Sequence, residues 1–432
     1  MQQVIDANVT PKNTDWHSVN WRKANRIVRR LRQRIFKATQ DGNIKQVRSL
    51  QRLMLKSYSN VLLSVRKATQ DNQGKRTAGV DRVLVKTPLA RMKLALDLAK
   101  HNDDWQPKPT RRVYIPKSNG KQRPLGIPTI RDRCLQTIVK NALEPYWEAK
   151  FEGCSYGFRP GRSVHDAIGK IYLSTRPHKT KKWVVDADIA GCFDNINHEE
   201  LMKIVGNFPA RRLIKLWLKA GYVDKETFHR TETGTPQGGI VSPLLANITL
   251  HGLESYLGVK FDNRGQTIGK RILVRYADDF VILCESQEDA VKAQQSTRWK
   301  SRRYWGRLNL SRMDNWVFGD KACGAYMLKF SWFKIERHAM VTKTSSPDDP
   351  NLRDYWEIRR KTRSIDEASK LNATKEKVAK LQGYKCLVCG ESLFNDEPIE
   401  LHHIVPRSLG GKDEIKNLIW LHKYCHNKVH HQ

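Results

Sequence analysis

Two apolar runs in this chain end in carboxylates, and any fold has to accommodate both. The stretch RYADDFVIL (Arg275 to Leu283) sets Asp278 and Asp279 between aromatic and β-branched neighbours. A second stretch, VVDADIAGCFD, delivers Asp186, Asp188 and Asp194 at the end of another strand. Adjacent negative charges repel, and an Asp pair taken alone usually marks a solvated turn. The flanks Leu273, Val274, Phe280, Val281 and Ile282 argue otherwise, because they require both arms of the Asp278 hairpin to be buried and its tip to sit at a core edge. Carboxylates gathered at such an edge are tolerated when divalent cations neutralise them. If the two strands are neighbours, Asp188 and Asp278 converge on one or two Mg²⁺ ions. Two ions about 3.5–4 Å apart activate an attacking hydroxyl and stabilise a leaving pyrophosphate.

Charge narrows the partner. The 432 residues hold 78 Lys and Arg against 44 Asp and Glu, a net +34 with pI near 10.0. Such an excess calls for a polyanion, either nucleic acid or an acidic membrane surface. No apolar run approaches bilayer-spanning length, and the N-terminus lacks the apolar segment of a signal peptide, so a nucleic-acid partner and no membrane partner are expected. The segment WRKANRIVRRLRQRIFKATQ (Trp21 to Gln40) puts Ile27, Val28, Leu31, Ile35 and Phe36 on one helical face, with eight basic and no acidic residues over the rest. That face reads as a phosphate-contacting surface in preference to a merely solvated one. Cys134, Cys154, Cys192, Cys284 and Cys323 are scattered among apolar neighbours and read as reduced core residues, which implies a reducing intracellular compartment.

Beyond the helical N-terminus, short strands and helices alternate from Trp105 to about Glu285, including a hairpin with Asn119-Gly120 at its tip and a strand-turn-strand over Arg271 to Leu283. The fold class is α+β. Residues 344–380 are rich in charge, contain SPDDP, and read as a turn, a charged helix and a linker or DNA-binding region.

Five segments, in order, resemble the reverse transcriptases and maturases encoded inside mobile group II introns: YIPKSNGKQRPLGIPTIRDR, SYGFRPGRSVHDA, DADIAGCFDNINH, GTPQGGIVSPLLANI and RYADDFVIL, together covering roughly residues 15–290. The resemblance implies a right-hand polymerase with fingers and palm at 105–290, behind a basic helical extension at 1–104. It makes Asp188 and Asp278 the principal Mg²⁺ ligands, with Asp279 as the third carboxylate. Phe193 then packs under the incoming sugar, Lys117 and Arg123 clamp the triphosphate of a dNTP, and Gln237 touches the template and nascent pair. Asp186 and Asp194 are left as structural.

The C-terminus carries a second chemistry. Cys386-x-x-Cys389 followed by His422-x-x-Cys425 can close a tetrahedral Zn²⁺ site, and a unit this small would draw much of its folding energy from the ion. The remaining histidines resemble the HNH nuclease pattern, a ββα-metal motif over about residues 384–431 within a domain at 381–432. By that resemblance His403 is the general base, His402 and His426 hold a single divalent ion with His430 as a further ligand, and Asn417 braces the loop that orients the base. A zinc knuckle that binds DNA without cutting it is the alternative.

One departure from the family stands out. About twenty residues, Ser286 to Tyr304, join the palm to a stretch similar to the far end of the maturase domain, so the end of the palm and most of the helical thumb are missing and 291–343 is a remnant. A polymerase without a thumb loses grip on its duplex. The expected activities are RNA-directed DNA synthesis, intron splicing assistance and DNA nicking; the alternative is an RNA-binding splicing cofactor or HNH nuclease with an inefficient polymerase site. Expected partners are group II intron RNA, target DNA and dNTPs, with a homodimer as a possible assembly, in a bacterial cytoplasm or nucleoid or an organelle matrix.

Overall fold

The computed structural model describes residues 15–100, 105–116, 122–176, 178–189, 192–235, 238–261, 267–296, 305–306, 317–318, 339–394 and 399–430. The chain forms two compact units, one of residues 1–150, 198–242 and 346–432 and the other of 151–197 and 243–345. No helix among the described residues is long and apolar enough to cross a membrane.

In the first unit Asn20, Asn43 and Ser57 each accept a hydrogen bond from the backbone N–H three residues on, which fixes the starts of helices Trp21–Gln40, Ile44–Lys56 and Tyr58–Arg66. Val28, Leu31, Ile35 and Phe36 are buried and Ile27 half-buried, while every basic residue of Trp21–Gln40 except Arg32 is exposed. Arg32 turns inward instead. Its Nε donates to Asp348 Oδ1 (2.7 Å), and its Nη2 donates to Asp348 Oδ2 (2.6 Å) and Glu144 Oε2 (2.9 Å).

These helices wrap helix Ile130–Glu148, where Leu135, Ile138, Ala142 and Leu143 are at most 2% exposed. Each large aliphatic so buried contributes about 1.5–3 kcal/mol. Asp132 is buried in the same helix, and its carboxylate is satisfied by Trp105 Nε1 (2.7 Å), Trp217 Nε1 (3.2 Å) and the Thr129 hydroxyl (2.7 Å). In front of it, strand Thr110–Pro116 pairs antiparallel with Gln122–Ile127 and parallel with Tyr222–Asp224, which pairs antiparallel with Thr227–His229. The expected hairpin is present; its tip lies outside the described residues.

Residues 344–380 are more structured than a turn, one helix and a linker. Ser346 and Asp348 are buried, and two helices follow, Arg353–Ser369 and Ala373–Leu381. The apolar residues Trp356, Ala368, Val378 and Ala379 give those helices a face to bury, and Asn372 caps the second by accepting from Lys375 N. The chain ends in an antiparallel pair, Ile399–His403 with Leu418–His422, and helix Lys423–His430, a ββα unit.

The second unit is built on a three-stranded antiparallel sheet in the order Trp183–Asp188, Asp279–Cys284, Arg271–Tyr276. Val185, Ala187, Leu273, Phe280, Ile282 and Cys284 form its core with Leu257, Val259, Ala290 and Ala293. Helix Val164–Ser174 starts at a capping box in which Asp166 Oδ2 accepts from Ser163 N (2.8 Å). The other oxygen of Asp166 accepts from Val341 N (2.6 Å), so residues around 341 are fastened to this unit. Cys134, Cys154, Cys192 and Cys284 are buried and form no disulfide among the described residues; Cys323 lies outside them.

Candidate functional sites

Strand register decides the first site. Asp279–Cys284 is the central strand, and Asp279 stands opposite Asp188 on one side and Tyr276 on the other. The two acid-bearing segments are therefore hydrogen-bonded neighbours. Asp188 and Asp279 share one end of the sheet, and Asp278 lies in the turn beside them. Asp278 is half-buried and Asp279 exposed, so the corner is open to solvent. The turn is tight enough to hold Ala277 at φ +62°, a left-handed conformation that costs an L-residue roughly 1–2 kcal/mol. Asp186 pairs with Val281 further down the strand, and Asp194 is exposed in the turn Cys192–Asp194.

Phe193 is buried in that same turn, with its ring edge-on to Phe158 at 6.3 Å. Arg123 is exposed on strand Gln122–Ile127 opposite Ile115. Lys117 and Gln237 lie outside the described residues. Gly238, next to Gln237, has φ +109°, and a Cβ on it would sit 2.4 Å from Gly126 O, so only glycine lets the two backbones approach this closely.

At the C-terminus, one ligand atom from each of Cys386, Cys389, His422 and Cys425 lies within 4.8 Å of the others, and all four residues are buried. Cys389 Sγ is 3.2 Å from His422 Nδ1, and His422 Nε2 is 2.9 Å from Ser392 O. Donation to that carbonyl fixes Nδ1 as the nitrogen facing the cluster. Hydrogen bonds from the Cys389 and Cys425 thiols hold the Cys386 thiol far below its usual range, and contacts with Cys386 first and Cys389 second push Cys425 above it. Three sulfurs and one imidazole nitrogen close enough to share one ion form a Cys₃His donor set, so the residues fit a tetrahedral metal.

A cleft of about 880 Å³ near this cluster is lined by His402, His403, Arg407, Asp413 and His426 together with Asn372, Thr374 and Lys375. The His402 and His426 rings meet edge to face at 5.0 Å, and His426 Nδ1 is 2.9 Å from Glu400 Oε2. His403 Nε2 lies 2.6 Å from Asp413 Oδ1, and Arg407 Nε donates to that oxygen at 3.1 Å. Arg407 first, and His403 second, keep the Asp413 carboxyl below the usual carboxylate range. Asn417 bridges the loop between strands: its Oδ1 accepts from Val405 N (2.7 Å), and its Nδ2 donates to Val405 O (3.1 Å) and Lys412 O (2.9 Å). His430 ends helix Lys423–His430, one turn beyond His426.

Known proteins match this layout. Residues 115–315 match the family described as reverse transcriptase (RNA-dependent DNA polymerase), residues 16–98 the N-terminal domain of reverse transcriptase, and residues 386–432 the HNH endonuclease family. Protein YkfC of Escherichia coli (strain K12) is 37% identical over 278 residues, covering 56% of this chain and 73% of its own. The group II intron-encoded protein LtrA of Lactococcus lactis subsp. cremoris is 46% identical over 166 residues, covering 37% of this chain and 27% of its own. This chain belongs to the group II intron-encoded reverse transcriptase/maturase family. It is a member with a C-terminal HNH domain, and it spans about a quarter of LtrA. Among solved structures, a partial Cas6-RT-Cas1--Cas2 complex aligns over 53% of this chain and 37% of that chain, at 28% identity and a TM-score of 0.30.

Several residues that shape the sites of this intron-encoded protein were not singled out from sequence. Glu400 precedes His402 by two positions on one strand, and that alternation was the available signal. Asp413 and Arg407 come from an irregular loop, where spacing predicts no contact. Arg275 and Asn247 sit inside recognised motifs but look like ordinary surface polar residues until their burial is known.

Proposed function

We propose that this group II intron-encoded protein binds its intron RNA, nicks a target DNA with the HNH module and copies RNA into cDNA from the nicked end. The observation that carries this reading is the strand register that sets Asp188 opposite Asp279 with Asp278 in the adjoining turn, in a chain that also holds the His402–His426 cleft.

In the polymerase half Asp188, Asp278 and Asp279 would hold Mg²⁺, which when bound activates the primer hydroxyl and stabilises the leaving pyrophosphate. Arg123 and Lys117 supply charged donors to the triphosphate of the dNTP. The bulk of Phe193, wedged against Phe158, disfavours a sugar with a 2′-hydroxyl. The exposed basic face of Trp21–Gln40 grips RNA through its backbone, in keeping with recognition by shape.

In the nuclease half His402, His426 and His430 would hold one divalent ion, and Cys386, Cys389, His422 and Cys425 a structural Zn²⁺. Donation of His403 Nε2–H to Asp413 leaves the lone pair on Nδ1, the atom that takes the proton of the attacking water. Asn417 keeps the His403 loop in shape from behind.

Two assays test this: primer extension on an RNA template and nicking of duplex DNA. Asp278→Ala should abolish extension and spare nicking, and His403→Ala should do the reverse. Binding to intron RNA should survive both changes, since it depends on contacts and not on metals. Extension that persists in Asp278→Ala refutes the site assignment. The short join between Ser286 and Tyr304 favours a second reading, in which RNA binding and nicking dominate and DNA synthesis is weak. Products of only a few nucleotides on a long RNA template would select it.

A further inference from the structure

We infer that Arg275 is the positioning residue of the polymerase centre: its buried guanidinium, backed by Asn247, holds the Ala277 carbonyl and so sets the corner on which Asp278 and Asp279 stand. The inference rests on the reading of that corner as the polymerase site.

Arg275 is 0% exposed, although it sits one residue before the solvent-exposed Tyr276. Its Nη1 donates to Ala277 O and to Asn247 Oδ1, both at 3.1 Å. Asn247 is itself 1% exposed, and its Nδ2 donates to Gly157 O at 2.9 Å. The backbone closes the ring. Arg275 N donates to Cys154 O and Tyr156 N to Arg275 O, each at 2.9 Å, so residues 154–157 run beside the strand that leads into the turn. Gly157 packs so close that a Cβ there would lie 2.4 Å from Ala277 N. The turn is thus held from its carbonyl side by Arg275 and from its amide side by the Gly157 backbone.

Arg275 is a costly choice for filling space. Its Nε and Nη2 make no hydrogen bond among the described residues, and burial holds its pKa below the usual guanidinium value. A buried cation with unsatisfied donors is destabilising, and an apolar side chain of similar length would avoid the penalty. Local costs of this kind persist at functional sites. What the guanidinium supplies is a fixed donor at the carbonyl oxygen of Ala277, the residue held at positive φ in the turn.

The test uses the full chain with Arg275→Met and Arg275→Lys, read in three ways. Single-nucleotide addition on an RNA template should lose about 10–100-fold in kcat for Met and less for Lys, with KM for dNTP within about threefold of wild type. The fraction of Mn²⁺ binding that Asp278→Ala removes, followed by electron paramagnetic resonance on the protein alone, should weaken in the same order. DNA nicking by the HNH module should be unchanged, and a wild-type thermal melt of the unit that holds Arg275 shows that it has folded. Wild-type kcat and Mn²⁺ affinity in Arg275→Met overturn the inference, and so does a proportional fall in synthesis, nicking and RNA binding together. If neither Arg275 variant folds, Asn247→Ala carries the same expectations. Absence of nucleotide addition in the wild-type chain would count against the polymerase reading alone, and the Mn²⁺ comparison would still decide the role of Arg275.

Discussion

Replacing Gly157 with alanine adds a single methyl group against the turn that carries Asp278 and Asp279. The backbone φ of Gly157 is not left-handed, so alanine meets no conformational penalty there and the effect is purely steric. Its Cβ would lie 2.4 Å from Ala277 N, 3.0 Å from Tyr276 C and 3.1 Å from Ala277 Cα, all backbone atoms that no rotamer change can move aside. Ordinary contact begins at 3.4 Å, so the turn and the 154–157 segment must separate by about 1 Å. A shift of that size at reacting groups costs about 100-fold in rate, or about tenfold if the neighbours absorb half of it. Overpacking adds about 1–3 kcal/mol of destabilisation. The control is Gly153→Ala, four residues earlier, whose Cβ would meet Lys343 backbone at 3.4 Å and should be tolerated. The assay is single-nucleotide addition on an RNA template, with the thermal melt of the same preparation as the reference for folding. If Gly157→Ala and Gly153→Ala synthesise equally well, the idea that this contact fixes the catalytic corner is wrong.

Other predictions concern the rest of the chain. Cys389→Ser should unfold the C-terminal module and abolish nicking while leaving Mg²⁺-dependent nucleotide addition in place; zinc content and nicking rate measured on one sample check it. Asp348→Ala strands the largely buried Arg32 and should destabilise the first unit by about 2–4 kcal/mol, whereas Asp349→Ala, which removes only a turn cap to Asn351 N, should cost about 0.5–1 kcal/mol; urea midpoints separate them. Hydrogen bonds from Arg271 hold the Asp289 carboxyl below its usual 3.8, so the folded state binds that proton less readily than the unfolded chain. The resulting stability is full above that value and is lost as pH falls through the lower folded one. The advantage of wild type over Asp289→Asn should therefore shrink on acidification below pH 3.8, as read by thermal melts across pH.

Much of this was legible in the chain. The apolar flanks of Asp278 and the run before Asp188 specify strands, but whether the two lie side by side stayed open in the sequence, because Trp183 and Val184 are exposed and local pattern does not choose a partner; the register of Asp188 with Asp279 makes them neighbours. Helix Trp21–Gln40 was readable because its apolar residues recur at helical spacing, and a cap at Asn20 marks its start. Arg32 was not readable as different from its seven basic neighbours, since its burial depends on Asp348, more than three hundred positions away. For the same reason SPDDP looked like a free turn: one of its two carboxylates serves a partner that local pattern cannot supply. In the His402–His426 cleft the histidines were found by their resemblance to the HNH pattern. Asp413 and Glu400, which hold two of them, depend on loop geometry and on strand alternation too short to stand out.

The helix Ala373–Leu381 precedes the recognised HNH motif, yet it is stapled to it. Trp420 Nε1 donates to Lys375 O (3.0 Å), and the Gln382 amide both accepts from Trp420 N (2.6 Å) and donates to Trp420 O (3.0 Å). Anyone excising the cutter for use on another scaffold at residue 386 would leave behind part of the lining of its own cleft. The portable piece begins no later than Asn372, and grafts trimmed closer should bind DNA poorly even when every histidine is kept.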